Sequence, residues 1–199
     1  MLSAGRSSPS SAPATSVPRR PAPVAALGFP VPAVYQAQGA ELVLERLDGR
    51  TMLAALLAGE LDAVEAAGCL AGLHHRLHAL PSRLGAREDA RILHLDLHPD
   101  NVMLTSRGPV VIDWRNAAEG PADLDVALSA VILAQVAVDE AHPLAWPAAT
   151  LLGAFLDRVG GSPLTALDHA VELRRHDPAL DPGERERLDA AAALVIAHR

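Results

Sequence analysis

The chain has 199 residues, half of them hydrophobic and about a fifth charged, a length and composition that suit one domain with a core of its own. All 17 basic residues are arginine, and residues 41–199, with 14 arginines against 24 acids, carry a net −10; a body this acidic excludes sequence-independent nucleic-acid binding, which needs clustered positive charge. The single cysteine, Cys69, excludes an intrachain disulfide framework and any multi-cysteine zinc site.

Residues 3–23 are rich in Ser, Pro and Ala. The prolines there break any amphipathic helix or continuous apolar run. A disordered tail over 1–27 is therefore expected, rather than a transit peptide or a twin-arginine signal at Arg19-Arg20. Val31–Tyr35 and Glu41–Leu47 read as two strands joined by a turn around Gln38-Gly39 and closed by Asp48-Gly49. Helical texture begins at Thr51, over Met52–Leu57 and Leu61–Leu80. Leu70, Leu73, Leu77 and Leu80 mark one buried face there, with Cys69 as a small buried hydrophobe, and Pro81 ends the segment. Two β-like runs, Val102–Leu104 and Val110–Ile112, flank a turn over Thr105–Pro109. Further helices are expected at Leu124–Val138, Pro147–Val159, Pro163–Arg175 and Pro182–Ala197. Ser162 is placed as one N-cap, Gly160-Gly161 as a stop, and Asp181 with Glu184 as a capping box. The longest apolar stretch, Val126–Val138, contains Ser129 and Gln135 and is shorter than the roughly 20 residues that span a bilayer. No membrane partner is expected, and the default compartment is the cytoplasm.

A dense polar group brackets the short hairpin: His94-Leu-Asp96-Leu-His98-Pro-Asp100-Asn101 before it and Asp113-Trp114 after it. A hairpin entered at Asn101 and left at Asp113 brings those two residues side by side at its open end, and the loop carrying Asp96 wraps over the same end. Two carboxylates and a carboxamide suit a hard divalent cation such as Mg²⁺, with positions left for phosphate and water. The second carboxylate is then free to take a proton from a hydroxyl nucleophile. A hydrolytic metal held by His94 and His98 is a competing reading that leaves Asp113-Trp114 unexplained. His74 and His78 stand one helical turn apart without the glutamate of a His-Glu-x-x-His motif, and are expected to be exposed or capping. Asp100 and Asp123 read as loop and N-cap residues, and Trp114 as core.

The spacing His-x-Asp-x-x-x-x-Asn, a hairpin, then Asp-aromatic resembles the catalytic-loop and metal-loop pair of the kinase fold. With His-Pro in the loop and Trp after the aspartate, it is most similar to the aminoglycoside phosphotransferase family, which includes choline-, homoserine- and sugar-kinase-like enzymes. Leu42–Gly49 resembles that family's hinge strand, Leu73–Pro81 its helix before the catalytic loop, and Gly120–Ala127 its bracing segment. The resemblance implies an α+β, protein-kinase-like fold: mostly the helical C-terminal lobe, a β-hairpin at the catalytic site and a remnant of the N-lobe sheet. The implied division is a tail over 1–27, remnant strands and hinge over 28–49, and the catalytic lobe over 50–199. Asp96 would be the catalytic base, Asn101 and Asp113 the Mg²⁺ ligands, and ATP the phosphoryl donor. His94, His98 and Asp125 would support the loop, and Glu45, Arg46 and Leu47 would form the nucleotide hinge.

Two expected parts are missing. The sequence has no lysine to hold the ATP phosphates and no Gly-x-Gly-x-x-Gly loop to cover them. An N-terminally truncated member of the family is the expectation, with self-association through the exposed strand remnant. A kinase-like module that binds without turnover is the alternative. The acceptor is a small-molecule hydroxyl; Asp139, Glu140, Asp157, Asp168 and Glu172 are compatible with a cationic one.

Overall fold

The protein is described as a computed structural model over residues 22–38, 41–81 and 89–198. Residues 1–21 of the expected tail, and Gly39 of the expected turn, lie outside the described residues. Order begins before Leu27. A short helix, α1 (Ala22–Ala25), places Val24 in the core, where its carbonyl accepts from the Leu27 and Phe29 amides.

Strands β1 (Val34–Gln38) and β2 (Glu41–Leu44) pair antiparallel, with Gln38 opposite Glu41. Leu42, Val43 and Leu44 all stay exposed, because no further strand or helix covers this pair among the described residues. The chain then crosses to the hairpin. Gly49 adopts φ +130° against the Leu104 carbonyl, where a Cβ would collide with the oxygen, so only glycine fits. That close approach lets β3 (Arg50–Thr51) add a third strand to the hairpin of β5 (Val102–Thr105) and β6 (Gly108–Val111). Sequence periodicity gives only the hairpin, since a two-residue strand has no period to read.

Helix α2 (Met52–Leu57) starts at Thr51, whose hydroxyl accepts from the Ala54 amide. Helix α3 (Ala63–His78) opens with a capping box of Asp62 and Glu65, and buries Leu70, Leu73 and Leu77 as expected. Cys69 is half-buried, packed against the core, and burial pushes its thiol upward. Strand β4 (Arg91–Leu93) pairs with β7 (Ala118–Gly120). This pairing ties the entry to the polar loop to the segment that leaves Asp113.

Helix α4 (Ala122–Ala137) is the axis of the molecule, buried at every residue from Leu124 to Gln135. A helix apolar on all faces must be surrounded, and α5 (Ala145–Val159), α6 (Leu167–Arg175) and α8 (Leu188–Ala197) pack on it. No helix among the described residues is long and apolar enough to cross a membrane. The last two expected helices are each interrupted: Pro163–Ala166 is a 3₁₀ turn before α6, and α7 (Pro182–Glu186) breaks before α8. Ser162 does not cap with its side chain; its amide donates instead to Asp123 Oδ1, 2.9 Å away. Asp123 accordingly sits inside the first turn of α4, and Pro121 is the N-cap. The Asp181–Glu184 capping box and the left-handed pair Gly160-Gly161 form as expected.

Candidate active site

Strand β4 delivers the chain into the loop at His94 and Leu95. Leu95 is left-handed, with φ +61°, a conformation that costs a non-glycine residue roughly 1–2 kcal/mol. The turn is held by Asp125 on α4. Its Oδ1 accepts the His94 amide at 3.1 Å and the Leu95 amide at 2.7 Å, and such charge-assisted bonds contribute about 1.5–3 kcal/mol each. On the other oxygen, His78 Nε2 donates at 2.9 Å and His74 Nδ1 stands 3.5 Å away. Burial raises the Asp125 carboxyl, but the facing imidazoles of His74 and His78 more than offset it and hold the group far below the usual carboxylate range. Asp125 is therefore an anion with no exposure.

The expectation that His74 and His78 are exposed or capping fails. His74 is fully buried and His78 is half-buried. His74 Nε2 stands 3.0 Å from Ser129 Oγ, and Ser129 Oγ donates to the Leu97 carbonyl at 2.7 Å. A signal for His74 was present: it follows Leu70 by four residues and precedes Leu77 by three, on the same buried stripe. His74, His78 and Asp125 have ligand atoms within 4.8 Å of one another, but the direct 2.9 Å bond from His78 to Asp125 makes this a hydrogen-bonded brace.

Beyond the brace, the loop closes on the hairpin. Asn101 ends a 3₁₀ turn (Pro99–Asn101), and its Nδ2 donates to the Asp96 carbonyl at 2.9 Å and approaches Asp96 Oδ2 at 3.4 Å. His98 accepts the Asp100 amide on Nδ1 at 3.3 Å, which puts its ring hydrogen on Nε2. That nitrogen lies 3.6 Å from Asp96 Oδ1 and 3.2 Å from Asn101 Nδ2. Burial pulls the His98 imidazole down, partly countered by the Asp96 charge.

At the mouth of the hairpin Val102 pairs with Val111, and the Ile112 amide donates to the Asn101 carbonyl at 3.0 Å. Asp113 follows in a left-handed conformation, φ +59°, and its carboxylate meets Arg115 at 2.9 Å. His94 ties the two sides together, its Nε2 donating to the Ile112 carbonyl at 2.9 Å, and burial holds its imidazole down as a neutral ring. Trp114 is core: its ring meets Phe29 and His94 edge-on at 5.7 and 4.8 Å, and its Nε1 donates to the Val111 carbonyl.

Two cavities flank this loop. One, of about 480 Å³, runs from the hinge to the hairpin end, lined by Leu42, Leu44, Glu45, Leu47, Met103 and Asp113 among others. Of the three hinge residues, Arg46 does not line it. Glu45 is tied to Arg107 at 2.6 Å, and its Oε2 also accepts the Ala33 amide. The second cavity, of about 160 Å³, lies against His98, Pro99 and Asp100 of the loop. None of Asp139, Glu140, Asp157, Asp168 and Glu172 lines either cavity. Asp139 pairs with Arg187, and Glu172 with Arg175 and His176.

The architecture is α+β, with the helical part dominant and the hairpin at its polar centre. Residues 56–157, about half the chain, match the phosphotransferase enzyme family, and the chain belongs to it. Among solved structures it is similar to a thermostable mutant of the aminoglycoside phosphotransferase APH(4)-Ia in a ternary complex with ADP and hygromycin B. Identity is 15%, coverage 83% of this chain and 77% of that one, and the TM-score 0.43. The AMP-PNP and hygromycin B complex of another thermostable mutant gives 16% identity, the same coverages and a TM-score of 0.43. The structure of APH(4)-Ia itself gives 16%, 83%, 77% and 0.42. No curated protein matches the chain.

Proposed function

We propose that this chain transfers the γ-phosphoryl group of Mg·ATP to a hydroxyl of a small molecule. The observation that carries the reading is the convergence of Asp96, Asn101 and Asp113 at the open end of one hairpin, with Asp96 fixed to Asn101 by two contacts. Asp96 takes the hydroxyl proton as the alcohol oxygen attacks the γ-phosphorus. The new O–P bond forms as the bond to the β-phosphate oxygen breaks, and ADP leaves. Asn101 Nδ2 holds Asp96 in place through its carbonyl and its carboxylate.

The donor set fits a hard cation. Asn101 Nδ2 is spent on Asp96, which leaves its Oδ1 for a ligand, and Asp113 adds a half-exposed carboxylate. Asn101 and Asp113 would hold Mg²⁺, Asp113 as the principal ligand, and the ion would supply charge neutralisation for the phosphates. The hinge-side cavity is the nucleotide site in this reading: Leu42, Leu44, Leu47 and Met103 offer apolar walls to a base, and Asp113 stands at the phosphate end.

Asp96→Ala tests the assignment. Transfer from γ-labelled ATP to an acceptor alcohol should fall at least ~100-fold, the lower range for losing a general base. Folding should be unchanged by circular dichroism. A variant that keeps most of the turnover contradicts the role given to Asp96.

A further inference from the structure

The two cavities share no lining residue: one meets the polar loop at His98, Pro99 and Asp100, the other the hairpin end at Ile112 and Asp113, and Asp96 lines neither. In a direct phosphoryl transfer the acceptor hydroxyl must reach both the base and the γ-phosphorus, from the side opposite the leaving ADP, so the proposed nucleotide site leaves the second cavity, which adjoins the loop at His98, for the acceptor. His98 joins that cavity to the chemistry: it forms part of the cavity wall, and its Nε2 is 3.6 Å from Asp96 Oδ1. The rest of the wall is apolar, from Leu53 and Leu56 on α2, Ile132, Leu133 and Val136 on α4, and Ala148 and Leu151 on α5. Asp100 and His142 are its other polar residues, and His142 Nδ1 is occupied by the Leu144 amide at 3.1 Å. A polycationic sugar would find one carboxylate here and would lose its hydration against aliphatic side chains. The volume of about 160 Å³ is close to that of cavities, about 150 Å³, known to take a benzene-sized group.

Resting on the phosphotransferase reading, the geometry points to an acceptor that is an uncharged alcohol carrying one compact apolar group of ring size. The group would fill the cavity between α2, α4 and α5, with the hydroxyl presented past His98 to Asp96. Wall residues Val136 and Ala148 would then set the permitted size.

The probe is 2-phenylethanol, titrated into the full chain without nucleotide and followed by methyl NMR of Ile132, Leu133 and Leu151. Saturable shifts in those methyls are expected, and Ala148→Phe should weaken binding at least tenfold while Mg·ADP binding is unchanged. No shift up to the solubility limit, or equal affinity in the Ala148→Phe variant, overturns the inference. If that variant does not fold, Val136→Ala decides it. Enlarging the cavity should raise the preference for 3-phenylpropanol over 2-phenylethanol at least threefold, and an unchanged preference overturns the inference. Turnover separates this inference from the reading beneath it. Transfer to hygromycin B but not to 2-phenylethanol would refute the apolar acceptor and keep the kinase. Probe binding without Mg·ATP-dependent transfer to any alcohol would refute the phosphotransferase reading and the acceptor role with it, leaving an apolar binding site.

Discussion

Replacing Asp125 by alanine strips the acceptor from three donors at once: the His94 and Leu95 amides and His78 Nε2. Asp125 has no solvent exposure, and each buried donor left without a partner costs roughly 1–3 kcal/mol. Relaxation of the loop brings the sum toward its lower half, about 3–5 kcal/mol. Against a total stability of about 5–15 kcal/mol, that is a large fraction. Asp125→Asn keeps one oxygen for the two amides and should lose about half as much, with a folded but slower enzyme. Urea unfolding of wild type and both variants by circular dichroism gives the difference directly. Hydrogen exchange at the His94 and Leu95 amides reports whether the left-handed turn has opened. Asp125→Ala within about 0.5 kcal/mol of wild type, an ordinary surface-substitution effect, with both amides still protected, would refute the brace.

Acid should destabilise the fold well above the carboxylate range. Burial lowers His74 and His94, so the native state keeps them neutral while the unfolded chain takes up protons near pH 6.5. More protons on the unfolded state means stability rises with pH. The contribution is complete above about 6.5 and is lost as pH falls, by up to about 1.4 kcal/mol per pH unit for each ring. Asp125, with its lowered carboxyl, adds a loss of the same sign below about pH 4; a thermal midpoint that is flat from pH 7.5 to 5.5 would contradict the histidine assignment. The exposed strand pair is a separate liability: Leu42, Val43, Leu44 and Tyr35 present an apolar, unpaired edge. Light scattering should give a mass above the 20.8 kDa chain, reduced by Val43→Lys; a monodisperse wild-type monomer would contradict it.

The geometry of the polar loop was legible in the sequence because its placement is local. Asp96 and Asn101 must sit within one short loop, and Asn101 and Asp113 must be joined by a hairpin whose alternation and turn can be read. The supports were less legible because they are tertiary. Ser129 meets Leu97 across 32 residues and His74 across 55, and nothing in the neighbourhood of any one of them announces the others. Strands β4 and β7 are three residues each, too short for a period, and exist because the loop between them is pinned. Ser162 shows the opposite failure. Its local cap signal is sound, but the Thr165 amide donates to the Ser162 carbonyl rather than to its hydroxyl. The acidic residues Asp139, Glu140, Asp157, Asp168 and Glu172 are compatible with a cationic acceptor by composition, and none of them lines either cavity.

Calorimetric titration of Mg·ADP into wild type, Asp113→Asn and Asn101→Ala tests the hairpin end most directly. The expected order is wild type tightest, Asn101→Ala intermediate and Asp113→Asn weakest by about tenfold, since it removes a full charge from the ligand set. Chelating Mg²⁺ should weaken the wild type toward the level of Asp113→Asn. Equal binding by all three proteins, indifferent to Mg²⁺, would contradict the assignment of Asn101 and Asp113 to the metal-bound nucleotide.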